Sequence, residues 1–333
     1  MLWTEQYRPS ALAEIVGQDR VVDHLASFAR TKSVPHLLLT GRHGTGKTSA
    51  IGAFARALYG DAAEENTSVF MTADLFSSGK SYLENDERYA HLFRKGESLL
   101  TNFKHIIREY AAIRPLDAPF KLMVFEDAHA MPREAQQALR RIMERTSDTC
   151  RFVLSTTNQS AILPAVASRC LPLFFSPIDD DLMLRHLAAI RKKESVHEGM
   201  HPCDDERLEL IVQASAGDLR RGLLLLQLVM QSGKDTDLAM AAQSEPATVA
   251  AAAFAAIRRG DPRMATKAIE SLMIDSGLSG REVLAEIRPV IKREYNDPAL
   301  VLALAAADTR LLHGNNEFIQ LGCLVGELYD VIA

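Results

Sequence analysis

Apolar residues recur along this chain in two periods, and the switch between them predicts its elements. Val21, Val22, Leu25 and Phe28 form a helical stripe between 18 and 30. A compact run, Leu37-Leu38-Leu39, predicts a strand at 37–40, and Ile51, Phe54, Ala55 and Leu58 return to helical spacing. Further compact runs at 68–72, 120–125, 151–156 and 171–175 predict strands. Between them Leu99, Leu100, Phe103, Ile106, Ile107 and Tyr110 mark one helix, and Ala135, Leu139, Ile142 and Met143, after Pro132, mark another. Strands alternating with helices predict a parallel sheet covered on both faces. The stretch 74–96 has no clean period and predicts a surface excursion with one short helix. After Pro177 the strand signals cease. Helices are predicted at 179–194, 204–216 and 219–231, with a break at 232–236, and the remainder is Ala-rich and helical. The pattern divides into an α/β domain over 1–176, a small helical domain over 177–234 and an all-helical domain over 235–333.

The first strand runs into Gly41-Arg42-His43-Gly44-Thr45-Gly46-Lys47-Thr48, followed by Ser49 and a helix. This is the G-x-x-x-x-G-K-[ST] spacing in its strand-then-helix setting. Backbone N–H groups of such a loop cradle phosphates, and the helix adds the positive end of its dipole. Lys47 is placed to reach the β- and γ-phosphates of ATP, and the Thr48 hydroxyl to hold Mg²⁺. The strand at 120–125 ends in Glu126 and Asp127, where one acid can help hold Mg²⁺ and the other polarise an attacking water. Asn158 follows the strand at 151–156; taken alone, an Asn there is a turn residue.

Composition narrows the classes. The chain has 333 residues, 47% of them hydrophobic, and a formal net charge of −5. That balance restricts any nucleic-acid contact to a local patch. No apolar run reaches membrane-spanning length, and the first residues lack a signal-peptide layout, so a cytoplasmic protein without membrane contact is expected. The four cysteines, Cys150, Cys170, Cys203 and Cys323, form no C-x-x-C pair, and neither zinc nor disulfides are expected.

Several longer motifs carry a resemblance. Trp3-Thr-Glu-Gln-Tyr7-Arg8-Pro9, Val16-Gly17-Gln18 and His36-Leu-Leu-Leu lead up to the phosphate loop. The 136–144 segment QQALRRIME, Cys150-Arg-Phe-Val-Leu-Ser, Ser168-Arg169-Cys170 and Gly217-Asp218-Leu219-Arg220-Arg221 follow. Together they resemble the small subunits of archaeal-type replication factor C, the clamp loaders of the AAA+ class. The resemblance implies an AAA+ α/β nucleotide domain, a helical lid and an all-α collar that joins subunits. It implies ATP and Mg²⁺ as cofactors. Tyr7 and Arg8 would close over the adenine base, with Val16 and Gln18 in the next element doing the same. Asn158 would be the amide that senses the γ-phosphate, Arg220 would report that phosphate to the lid, and Arg169 would reach the ATP of a neighbouring subunit. The implied partners are a large subunit and other small subunits in a hetero-pentamer, a PCNA-type sliding clamp, and primer–template DNA held without sequence preference. Arg133, Arg140 and Arg141 are the candidates for DNA phosphates. Arg140 and Arg141 are adjacent, so at most one is expected to face DNA.

Three departures qualify the resemblance. The family's usual Asp-Glu-Ala-Asp reads Glu126-Asp127-Ala128-His129 here. The exchanged lengths predict a site that binds ATP well and hydrolyses it poorly, and His129 is read as an exposed polar residue. Arg42-His43 replaces the usual Pro-Pro. The stretch 74–96 resembles an insertion, with Lys80, Arg88, Arg94 and Lys95 supplying charge and Tyr82, Tyr89 and Phe93 supplying aromatic surface for a partner or simply a solvated loop. These features suggest a divergent second small-subunit type. A homo-hexameric DNA-remodelling motor and a non-hydrolysing scaffold subunit are the alternatives.

Overall fold

In the computed structural model β1 (His36–Gly41), β2 (Thr67–Met71), β3 (Lys121–Glu126), β4 (Cys150–Thr156) and β5 (Cys170–Phe175) form one parallel sheet, ordered β2-β3-β4-β1-β5. The structure describes residues 1–85, 90–115, 117–197, 199–232, 245–294 and 297–332. It divides into two compact units, Met1–Lys234 and Asp235–Ala333.

The sheet belongs to the first unit, and both of its faces are buried. Leu38, Met123, Phe125, Phe152 and Leu154 point into one core cluster, while Leu37, Leu39, Leu122, Val124 and Val153 point into the other. This is the period-2 alternation of a strand seen from two covered faces, and it is why the runs read as continuously apolar. On the first face Phe125 stacks between Phe70 and Phe152, with ring centroids 5.2 and 6.4 Å away. Because β1 lies beside β4 and β4 beside β3, the carboxyl ends of these three strands emerge side by side. Ligands of open α/β sheets bind at such an edge.

Helices α1 (Trp3–Gln6), α2 (Asp19–Thr31) and α3 (Lys47–Tyr59) precede β2, and α3 fills one face with Ala50, Ile51, Phe54 and Leu58. The described residues of the 74–96 excursion are mostly exposed, as expected, but it holds two short helices where one was expected and is anchored in the core. Helix α4 (Thr72–Ser78) and helix α5 (Lys80–Asn85) bury Leu75 and Leu83 completely, at 1% and 0% exposure. Phe76, Tyr82, Leu92 and Phe93 pack on the same cluster, and Tyr82 Oη accepts the Met71 N–H at 3.1 Å. Helices this short contribute one or two apolar side chains each, too few to show a period. Thr72 opens α4 and does not close β2. Arg88 and Tyr89 lie outside the described residues. Helix α6 (Leu99–Ala112), capped by Ser98, and helix α7 (Arg133–Arg145) cover that face, followed by the single turn α8 (Pro164–Ala167).

Helices α9 (Asp180–Glu194), α10 (Asp205–Ser215) and α11 (Leu219–Ser232) complete the first unit. Asp179 and Asp204 cap the first two, accepting from Asp181 N and Arg207 N at 3.0 and 2.9 Å. Of the expected 232–236 break, only Ser232 is among the described residues. The second unit contains α12 (Glu245–Arg258), α13 (Pro262–Ile274), α14 (Gly280–Glu294), α15 (Pro298–His313) and α16 (Glu317–Ile332). Phe254, Ile257, Leu272, Ile287, Leu300 and Leu324 are among its core residues, and Arg310 pairs with both Glu327 oxygens at 2.8 Å. Among the described residues no helix is long and apolar enough to cross a membrane.

Candidate nucleotide site

The 41–48 loop turns at the end of β1 through Gly44 (φ +66°) and Gly46 (φ +97°), conformations that glycine adopts without steric cost. A Cβ on Gly44 would lie 1.6 Å from Asp218 Oδ1, so the close approach of Asp218 also requires glycine there. Leu219 N donates to Gly44 O at 3.2 Å, which seats the start of α11 directly on the loop. Gln18, buried behind the loop, donates to Ser176 O at 2.7 Å and Thr45 O at 3.3 Å and accepts from Ser176 N at 3.2 Å. It therefore fixes the loop against the exit of β5.

Lys47 is buried, and its Nζ donates to Gly41 O and Arg42 O, each at 2.7 Å. Burial lowers its pKa, while Asp127 and Glu126 act in the opposite sense. Thr48 Oγ1 donates to Glu126 Oε2 at 2.9 Å. Burial raises the Glu126 pKa, opposed by that hydrogen bond. Asp127 stands at φ +50°, in the left-handed region that Asp tolerates, and leads into a turn at Ala128–Ala130.

These groups border one cavity of about 590 Å³. Gly44, Thr45, Gly46, Lys47, Thr48 and Ser49 line it together with Glu126, Asp127, Tyr7, Arg8, Val16 and Arg220. Gly41 contributes through its carbonyl to Lys47. The cavity suits a nucleoside triphosphate on structural grounds: glycine backbone opens at a helix N-terminus, and the buried lysine donates only to carbonyls that a phosphate could replace. The Thr48 hydroxyl and Glu126 carboxylate are the hard oxygen donors that Mg²⁺ takes, and they already meet. Among the described residues no group of three or more His, Cys, Asp and Glu is arranged to hold another metal.

Three candidate residues stand elsewhere: Gln18, which is held against the loop and Ser176 and not at the cavity with Val16, then Asn158 and Arg169. Asn158 caps the turn Gln159–Ala161, its Oδ1 accepting from Ser160 N and Ser160 Oγ at 3.1 and 2.7 Å. Ser155 and Thr157 line the cavity from the β4 end in its place. An amide at a strand end gives no sign in the sequence of which neighbour turns inward. Arg169 lies outside this cavity. Its Nε donates to Glu144 Oε1 at 2.9 Å, its Nη2 to the same oxygen, and its Nη1 to Ala165 O at 2.6 Å. His129 is half-buried beside Thr156, 3.4 Å between Nδ1 and Oγ1, and is not the exposed residue expected.

No sequence signal points to Glu194 on α9. It is 3% exposed and accepts from Gln6 Nε2 at 3.1 Å and from the Tyr7 hydroxyl. Burial, with the Glu194 bond second, pushes the Tyr7 phenol up to about 12. Trp3 N donates to Gln227 Oε1 at 2.9 Å, so α1 is docked on α11. The 3–7 segment is thus tied to both α9 and α11.

A second region is strongly basic. Arg94, Lys104, Arg108, Arg133, Arg140, Arg141 and Arg145 line a groove of about 860 Å³ along α6, α7 and α8. Arg140 and Arg141 both border it. Gln136 ties α7 to the segment before α8: it donates to Met131 O and Ala161 O, each at 3.0 Å, and accepts from Leu163 N at 2.8 Å.

Fold and site define an AAA+ P-loop protein. Residues 17–179 match the family model described as DNA polymerase III, delta subunit, and residues 246–327 the replication factor C C-terminal domain. The replication factor C small subunit of Thermoplasma volcanium is 31% identical over 99% of this chain and 98% of its own length. That of Archaeoglobus fulgidus is 33% identical over 98% and 97%. The chain belongs to the replication factor C small-subunit family. Among solved structures, a point variant of Thermotoga maritima RuvB aligns at TM-score 0.51 with 18% identity, covering 95% of this chain and 91% of that one. The Aeropyrum pernix Orc1 protein, solved in complex with DNA, aligns at 0.54 with 16% identity over 92% and 85%. These likenesses concern the fold.

Proposed function

We propose that this chain is an ATP-binding subunit of a clamp loader, which opens a PCNA-type sliding clamp and sets it on primed DNA. The observation that carries the reading is the single cavity shared by Lys47, Thr48, Glu126 and Arg220, in a chain of this family. The 44–49 backbone would hold the triphosphate. Lys47 would exchange the Gly41 and Arg42 carbonyls for phosphate oxygens, and Thr48 and Glu126 would hold Mg²⁺, which would supply charge neutralisation at the phosphates. Arg220, carried by α11 of the lid, would read the terminal phosphate, and the Leu219–Gly44 contact seats that helix on the phosphate loop. Tyr7, Arg8 and Val16 enclose the base.

The Glu126-Asp127 exchange supports weak hydrolysis at this site. Asp127 is shorter than Glu by one C–C bond, about 1.5 Å, and a misplacement of about 1 Å can cost about 10²-fold. Arg169, outside its own cavity, acts on the ATP of an adjacent subunit. The collar of the second unit joins a hetero-pentamer with a large subunit and other small subunits. The basic groove follows primer–template phosphates without reading sequence.

The test is reconstitution with large subunit, other small subunits, clamp and primed DNA. Calorimetry should show ATP uptake that Lys47→Ala abolishes, and clamp loading should require it. A well-folded protein that takes up no ATP, alone or assembled, overturns the reading.

A further inference from the structure

Glu144 stands one turn beyond Arg140 on α7, and its Oε1 is shared. It accepts from Arg169 Nε at 2.9 Å and from Arg169 Nη2, and lies 3.7 Å from Arg140 Nε. With Arg169 Nη1 donating to Ala165 O at 2.6 Å and to Ser168 Oγ at 3.5 Å, all three guanidinium nitrogens are held. A guanidinium has more N–H donors than these contacts use, so one N–H stays free to donate. Ala165 and Val166 of α8 also wall the basic groove, so clamp and groove share an element as well as an ion. The Arg169 hydrogen bond, and then the charges of Arg169, Arg140 and Arg141, hold the Glu144 carboxyl below its usual range.

We propose that Glu144 is a positioning residue for Arg169 and links it to phosphate in the groove; this rests on the reading that Arg169 acts on an adjacent subunit's ATP. A backbone phosphate engaged by Arg140 draws that guanidinium off Glu144 and repels the carboxylate. Arg169 is then its remaining partner. The charge-assisted pair on Oε1 tightens, with the free N–H held outward from α7.

The test is ATP turnover of the reconstituted assembly, with clamp, titrated with primed DNA for wild type, Glu144→Gln, Arg169→Ala and the double variant. Glu144→Gln keeps size and one acceptor oxygen but removes the charge. The expected result is a fall of about tenfold in the ratio of DNA-stimulated to basal turnover, in kcat with the KM for ATP unchanged. Arg169→Ala should cost about 10³-fold or more, and Glu144→Gln should add nothing in that background. If Arg169→Ala loses turnover while Glu144→Gln keeps the full DNA response, the positioning role is wrong and the reading of Arg169 stands. An equal fall with and without DNA overturns the link to the groove. If Arg169→Ala turns over like wild type, that underlying reading falls and this proposal with it.

Discussion

Lys47 and Gly44 show how much of the site rests on single side chains. Lys47→Ala removes the buried cation that the phosphates need, and calorimetry should find ATP affinity reduced by at least about 10²-fold, in line with a charge-assisted contact of about 3 kcal/mol. Gly44→Ala adds a Cβ 1.6 Å from Asp218 Oδ1 at φ +66°. The left-handed conformation alone costs about 1–2 kcal/mol, so affinity should fall about tenfold or more; unchanged affinity would mean that loop and lid are not seated as described. The acids make the sharper case. Glu126→Asp combined with Asp127→Glu restores the usual lengths, and turnover of the assembled complex should rise by up to about 10²-fold. No rise in phosphate release would remove the argument for weak hydrolysis here.

At the scale of the element, β1 carries a pH-dependent term away from the cavity. His36 Nδ1 accepts the Phe152 N–H at 3.1 Å, which requires an unprotonated nitrogen, and burial lowers the ring pKa to about 4. The unfolded chain takes up its proton near pH 6.5. Between those values the unfolded state binds the proton and the folded state does not, so stability falls as pH drops from about 6.5 to about 4, by at most about 3 kcal/mol. Urea midpoints across that range should show a flatter slope for His36→Gln than for wild type; parallel slopes would place the titration elsewhere. Strands at the site were legible because both their faces are buried. Helices α4 and α5 were not, since one or two buried residues each leave no period to read.

For the molecule, burial divides the cysteines. Cys150, Cys170 and Cys203 are buried and Cys323 is exposed. Burial pushes the Cys150 and Cys170 thiols up to about 12. A thiol reagent at pH 8 should label one cysteine in the native protein and four after unfolding, counted by mass. Rapid labelling of a second native thiol would contradict the core described. The basic groove makes a different prediction. Arg141→Gln removes one phosphate contact, so the salt slope of complex–DNA binding should shrink by about one, equally for unrelated sequences. An unchanged slope would take Arg141 out of the DNA path.

The sequence by itself determined the phosphate loop, the strand carrying Glu126 and Asp127, and the sheet-then-helices order, because local spacing and periodicity are properties of neighbours in the chain. Only the tertiary structure decided that Thr157 and not Asn158 faces the cavity, that Glu194 receives Tyr7, and that Glu144 joins Arg169 to Arg140. Those contacts bring together residues from different elements, and their hydrogen bonds depend on which way each side chain turns when the elements pack. Local sequence does not record that direction, because a cap, a core residue and a ligand can share the same residue type.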